Sequence, residues 1–196
     1  MLHRWGLAVQ PRYTLNTRQK TANYGVMTAA DFSAPLEGIP LPPVEGWNPQ
    51  ACGDSAMRIA ADGTWFHEGA KIARPELVRL FAGLLRKDKD GYVLVTPAEK
   101  LSIQVEDAPF LAVTVDAAGG GESQRLIFTT NVGDRVLLGP NHGLRLSGGI
   151  PYLHVRGGLE ARVARNAWYQ LADMAVPRGA ALGVWSDRHF FALGPA

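Results

Sequence analysis

The sequence predicts an α+β protein of two similar halves, each with a helix packed on a small, mostly antiparallel sheet. Three observations lead to this fold class. An apolar stripe between Leu77 and Leu84 has the spacing of an amphipathic helix. The Asp62-Gly63 pair is a hairpin turn between two short apolar runs. The same order of hairpin, helix and strands recurs between Tyr152 and Leu193.

Composition narrows the class of protein. The 196 residues are 46% hydrophobic and 19% charged, which is typical of a folded globular chain. The net charge of +2 is spread without a basic stripe, so we expect no nucleic-acid partner. The sequence has no apolar stretch long enough to span a bilayer, so we expect no membrane association. A single cysteine, Cys52, excludes an internal disulfide and favours the cytoplasm.

Residues 1–50 are expected to be an extended, proline-rich leader. It either packs on the body of the protein or lies outside the fold. Five prolines between residues 28 and 49 rule out a regular helix or central strand. Residues 1–26 are basic, and Met27 is a plausible second start, so this stretch is interpreted as an upstream extension. A chain beginning at Met27 should then melt at the same temperature as the full chain.

The first half is expected to cover residues 51–116. Strands are predicted at 57–60 and 64–67, and Pro75 occupies the first position of the helix, where its missing N–H does no harm. The basic residues Arg79, Arg86 and Lys87 are expected to face water. Strands are also predicted at 92–95, 100–105 and 110–116. Residues 100–105 alternate apolar and polar side chains, so one face is expected to be wet or functional.

The second half is expected to cover residues 117–196. Strands are predicted at 124–130, 135–138 and 144–146, followed by a hairpin at 152–163 with a Gly157-Gly158 turn. A shift of 91 residues carries the first helical stripe onto four later positions: Trp168, Leu171, Ala172 and Ala175. A strand pair at 181–186 and 189–193 then repeats the pair that follows the first helix. The recurrence is one of pattern, since few residues are identical.

Several motifs resemble a bacterial family known as domain of unknown function 1285. They are DGTWFHEG, LVRLFAGLLR, LVTPAEK and VEDAPF, with NVGDRVLL and PYLHVRGGLEARVAR later in the chain. The likeness extends from Cys52 to Val176. It implies a soluble bacterial α+β protein of two topologically similar halves without an established activity, for which a role in ligand sensing or signalling has been suggested. It assigns no catalytic residue.

The residues offer few candidates for chemistry. His67-Glu68 lacks the partners of a metal or acid/base site, so a solvated turn is favoured, and we expect no metal or cofactor. Glu106-Asp107 ends an alternating strand just before a proline and is the most promising pair. Successive strand residues point to opposite faces, however. One carboxylate capping backbone N–H groups and the other pairing with an arginine is the favoured structural interpretation.

The leading functional hypothesis is a non-enzymatic module that binds an unidentified small molecule or acts in regulation. Its site is expected in a cleft between the halves, near the bend of VEDAPF and the hairpin of DGTW. The candidate ligand-binding residues are Asp62, Trp65, His67, Gln104, Glu106 and Asp107. A carboxylate-dependent enzyme is the alternative, and would need these groups to converge in a pocket. A third hypothesis is an assembly subunit that forms a homodimer.

Overall fold

A computed structural model describes residues 41–196. The predicted leader residues 1–40, including Met27, lie outside this range. The described residues form fifteen strands but only two α-helices. The predicted α+β class, with a helix packed on a small sheet in each half, is therefore wrong: the protein is mostly β and is built on two six-stranded sheets. The predicted similarity of the two halves is confirmed.

Six strands form the first sheet. In chain order they are β1 (Ala51–Ile59), β2 (Trp65–His67), β3 (Ala70–Lys71), β4 (Leu85–Asp88), β5 (Gly91–Val95) and β6 (Glu99–Val105). Their spatial order is β3-β2-β1-β6-β5-β4. The two three-stranded antiparallel ribbons meet at β1 and β6, which run parallel. The helix α1 (Pro75–Leu84) connects the ribbons, as a parallel pair requires a long crossover.

Six further strands form the second sheet. They are β7 (Phe110–Ala118), β8 (Arg125–Thr130), β9 (Arg135–Leu137), β10 (Leu144–Ser147), β11 (Ile150–Arg156) and β12 (Leu159–Val163). Their spatial order is β10-β11-β12-β7-β8-β9, with β12 and β7 parallel. Adding six to each strand number of the first sheet reproduces this order. The two sheets thus have the same topology.

The shift of 91 residues does not relate the strands of the first sheet to their equivalents in the second sheet. Hairpin, helix and three strands do recur, since α2 (Arg165–Asp173) follows β12 and precedes β13 (Val176–Arg178), β14 (Ala181–Ser186) and β15 (His189–Pro195). These last strands form a separate three-stranded sheet instead of joining the hairpin before α2. The second sheet is completed by β7–β9 from earlier in the chain. Local pattern repeats, but strand pairing does not follow it.

The start of α1 is as predicted and its end is not. Pro75 is the first helical residue, and the helix ends at Leu84. The next residues, expected to continue as a polar helix end and loop, form β4. Arg86, expected to face water, is 7% exposed because it binds Asp88 and two backbone carbonyls, those of Val44 and Trp47.

One continuous core joins the halves. Its largest fully buried side chains include Trp65 of the first sheet and Phe110 and Phe128 of the second. The second sheet contributes the greater share of the buried residues. Neither helix between residues 41 and 196 has the length and apolar character needed to cross a membrane.

Candidate functional site

The hairpin at Asp62-Gly63 lies against the second half. Asp62 Oδ1 accepts a hydrogen bond of 2.9 Å from the Thr64 N–H, which lowers the pKa of Asp62. Gly63 has φ +77, and a Cβ there would lie 2.8 Å from Asn131 Nδ2. Asn131 connects the hairpin with the second half. Its Oδ1 accepts a hydrogen bond of 3.0 Å from the Leu111 N–H, and its Nδ2 donates one of 3.4 Å to the Gly63 carbonyl. Glycine allows this close approach.

Glu106 fixes the other end of the same hairpin. Its carboxylate accepts a hydrogen bond from Arg58 and a second, of 2.9 Å, from the Ala61 N–H. Its own N–H donates to the Ile59 carbonyl at 3.0 Å, which continues the parallel pairing of β1 and β6. The Glu106 side chain is 45% exposed. Glu106 therefore both caps a backbone N–H, that of Ala61 outside the bend, and pairs with an arginine, whereas the sequence led us to expect these roles to be divided between the two carboxylates.

Asp107 reaches the second half instead. Its Oδ1 accepts a hydrogen bond of 2.7 Å from the Tyr152 hydroxyl, and its Oδ2 lies 3.4 Å from Arg162 Nη1. Hydrogen bonding to Asp107 raises the pKa of Tyr152. The guanidinium of Arg145 lies 4.4 Å from the centre of the Tyr152 ring and also binds Glu160. Glu106 and Asp107 thus have separate partners, as expected from their opposite directions along the chain.

The remaining predicted site residues are dispersed. Trp65 is 1% exposed and packs in the core. His67 is half-buried on β2, paired across the sheet with Met57. Gln104 is exposed on β6. The structure does not gather the six residues around one cavity, although Asp62 and Glu106 both bind backbone N–H groups of the hairpin.

A larger cleft of about 450 Å³ lies on one side of the hairpin. Its lining comes from both halves: Ala61, Leu111, Gly149, Ile150, Pro151, Arg162, Val163, Ala164, Arg165 and Trp168. Two guanidinium groups and an indole share this space with aliphatic side chains. The lining has no carboxylate, since Glu106 is bound to the Ala61 N–H and Arg58, and Asp107 to Tyr152 and Arg162. The lining therefore combines apolar side chains with two cationic groups, of which Arg162 is already paired with Asp107.

The start of α2 forms part of the wall of this larger cleft. Its N-cap is Ala164, which has no side-chain oxygen to accept from the first N–H groups of the helix. Uncapped N–H groups and the helix dipole favour a negative charge at this end. Arg165, the first helical residue, is exposed and forms no ion pair with another residue of the described chain.

A smaller cleft of about 220 Å³ lies on the other side of the hairpin. Its lining runs from the hairpin to α1 and the turn after β8: Gly63, Thr64, Trp65, Lys71, Ile72, Ala73, Pro75, Val78, Arg79 and Asn131. The hairpin is thus shared, with Ala61 facing the larger cleft and Gly63 the smaller one.

Sequence reasoning placed a site between the halves near this hairpin but missed Arg162, Arg165 and Trp168. The available signal was an arginine directly after a strand and at the start of an apolar helical stripe. The rings of His142 and His154 stack with their centres 5.8 Å apart. Within residues 41–196 no group of three or more His, Cys, Asp or Glu side chains is arranged to hold a metal ion.

Comparison with known proteins identifies family matches over residues 42–193. Residues 42–108 match the family described as "Domain of unknown function (DUF1285), N-terminal domain", and residues 109–193 match "Protein of unknown function (DUF1285), C-terminal domain". None of the curated proteins compared with the chain matches it.

Two solved structures are similar. A DUF1285 family protein from Silicibacter pomeroyi DSS-3 has 41% identity and a TM-score of 0.75, over 87% of this chain and 97% of the other. A DUF1285 family protein from Shewanella baltica OS155 has 30% identity and a TM-score of 0.51, over 61% of this chain and 91% of the other.

Proposed function

The chain belongs to the DUF1285 family, and we propose that it is a non-enzymatic module that binds a small anionic molecule with an apolar portion in the larger cleft between its halves. One observation carries the proposal: two arginines and a tryptophan line a cleft of about 450 Å³ whose lining has no carboxylate. The volume lies within the usual range of small-molecule sites.

Each part of the cleft has a role in this proposal. Arg165 and the uncapped first turn of α2 attract the negative group of the ligand. Arg162 is oriented by Asp107, so its guanidinium is held at the cleft without losing its charge. Trp168, with Ile150 and Pro151, offers an apolar surface for the rest of the ligand.

Two of the predicted site residues, Glu106 and Asp107, hold residues that line the larger cleft. Glu106 holds Ala61, which lines the cleft, through a hydrogen bond of 2.9 Å to its N–H. Asp107 holds Arg162 and Tyr152, which lie on adjacent strands. In this proposal the carboxylates position the groups that contact the ligand. They are engaged with arginines, which favours binding over acid/base chemistry at the bend.

Isothermal titration with benzoate and phenyl phosphate tests the proposal. Each probe combines a negative group with a ring. We expect at least one to bind, and Arg165→Gln to weaken it about tenfold because one charge-assisted contact is lost. Arg188→Gln, a change at an exposed arginine outside the cleft lining, is the matched control and should leave the affinity unchanged. Binding that is indifferent to Arg165, or absent for both probes, contradicts the proposal.

A further inference from the structure

Trp65 carries a polar atom that the fold leaves without a partner. The residue is 1% exposed, and its indole Nε1 has no hydrogen-bond acceptor among the described residues. The nitrogen is also out of contact with solvent, so water does not replace the missing acceptor. A buried donor without a partner is uncommon in a folded protein and calls for an explanation at that position.

Trp65 is one of the residues that line the smaller cleft, together with two residues that have cationic side chains. Lys71 comes from β3 and Arg79 from the exposed face of α1. Neither side chain forms a hydrogen bond or an ion pair within the described part of the chain, although the charge of Lys71 acts on Asp62 and lowers its pKa. Arg79 extends toward the turn of the second half, where its Nε lies 3.9 Å from the position of a Cβ on Gly133.

Other polar groups at this cleft are already engaged. Asn131 uses its side-chain amide on Leu111 and Gly63. The first turn of α1 offers little, because Pro75 has no N–H and Leu77 donates to the Arg74 carbonyl. Glu76 lies in that turn but is not part of the lining. Besides the Trp65 indole, the lining therefore offers a ligand the two cationic side chains.

We propose that the smaller cleft is a second binding site, which takes a small oxyanion, a phosphate or carboxylate group, with one oxygen accepting from Trp65 Nε1. Lys71 and Arg79 balance its charge. The size of the cleft, about 220 Å³, suits such a group better than a drug-sized molecule. Because Nε1 is enclosed, binding includes a shift of the side chains that cover it.

The site is independent of the proposed function, since the two clefts have no lining residue in common. A neutral acceptor would satisfy the indole alone. It would leave Arg79 without a counter-charge among the described residues, and Lys71 with only the nearby Asp62, so an anion fits the whole lining better. The phosphate and carboxylate sources share this chemistry, and the test below separates them.

Nuclear magnetic resonance of the five tryptophan indole N–H groups in the full chain tests the proposal directly. Trp65→Phe assigns the Trp65 resonance by its disappearance; if that variant does not fold, Phe substitutions of the other four tryptophans assign it by elimination. Inorganic phosphate and acetate are titrated separately, each against sodium chloride of equal ionic strength. We expect a saturable downfield shift of the Trp65 proton with one or both anions.

Charge variants decide which side chains take part. Lys71→Gln and Arg79→Gln should each raise the concentration at half-saturation by roughly fivefold. Lys89→Gln, at an exposed lysine outside the cleft, is the matched control and should leave it unchanged. The proposal is overturned if the Trp65 resonance responds no more to either anion than to chloride, or if both cleft variants titrate like the control.

Discussion

The hydroxyl of Tyr152, on β11 of the second sheet, donates a hydrogen bond of 2.7 Å to Asp107, which lies in the link between the two sheets. Tyr152 is 8% exposed, and Arg145 covers its ring at 4.4 Å. This bond ties the end of the first half to the middle of the second. Asp107 is also the residue that orients Arg162 at the larger cleft. Stability and cleft geometry therefore depend on the same carboxylate.

Tyr152→Phe should lower the free energy of unfolding by about 2 kcal/mol, because a hydrogen bond to a charged acceptor is lost while the ring remains. Urea unfolding followed by fluorescence measures the change. Tyr169→Phe is the matched control, since Tyr169 is 59% exposed, and it should have no measurable effect. Equal stability of the two variants would show that the Asp107 bond contributes little.

The same bond predicts how stability responds to alkali. Hydrogen bonding to Asp107 raises the pKa of Tyr152 above its unfolded value of about 10. The stabilisation is therefore present below about pH 10 and is lost as the pH rises through the folded pKa. Melting temperatures from pH 8 to 11 should fall more steeply for the native chain than for Tyr152→Phe. Parallel curves would argue against a Tyr152 contribution.

Arg86→Met should destabilise the fold by about 3 kcal/mol, since Asp88 loses its main cationic partner and two carbonyls lose their donor. Arg58→Met is the control. Its partner Glu106 is exposed, so we expect a loss of about 1 kcal/mol. Chemical denaturation of both variants at neutral pH makes the comparison. A larger loss at Arg58 than at Arg86 would reverse this ranking.

The pair of Arg86 and Asp88 also predicts the response to acid. Hydrogen bonding from Arg86 is the main cause of the lowered pKa of Asp88. A lowered carboxyl pKa contributes stability above its unfolded value of about 4, and that stability is lost as the pH falls further. Between pH 5 and 2, the native chain should lose more stability than Arg86→Met. The prediction is wrong if the stability of both proteins falls with the same slope as the pH decreases.

Gly183→Ala should disrupt the last sheet. A Cβ at Gly183 would lie 2.3 Å from the Phe191 carbonyl oxygen and 2.7 Å from the Phe190 ring, and the backbone atom cannot move aside cheaply. We expect a loss of about 3 kcal/mol, as for an overpacked core. Gly194→Ala, with nothing within 4 Å of the added carbon, should change thermal stability little. Tolerance of both substitutions would mean that the β14–β15 pairing adapts.

Local signals in the sequence predicted most of the elements correctly. The Asp62-Gly63 turn, Pro75 at the start of α1 and the alternation along β6 act over a few residues, so they can be recognised in a single sequence. The parallel pairing of β1 with β6 cannot, because it joins residues far apart in the chain. This pairing, with its equivalent of β12 and β7, joins three-stranded ribbons into two six-stranded sheets.

The burial of Arg86 is a second feature that the sequence did not predict. Leu85 and Arg86 look like the end of an amphipathic helix, yet both are buried in β4 because Arg86 finds four oxygen acceptors. The candidate site shows the same contrast between local sequence signals and contacts of residues far apart in the chain. The sequence identified the hairpin and the acidic bend that shape the clefts. It did not identify Arg162 or Arg165, since their role depends on which strand and helix end lie opposite Ala61.

The parallel pair at the centre of each sheet has a consequence for protein synthesis. Ile59 pairs with Val105, and Phe110 with Ala161, so the first strand of each sheet pairs with its sixth. Closing such a long loop carries an entropic cost that local hairpins avoid. On the ribosome, β1 must therefore keep one edge unpaired until β6 has emerged, and β7 until β12 has. The nascent chain passes through two periods of exposed strand edge, one for each sheet.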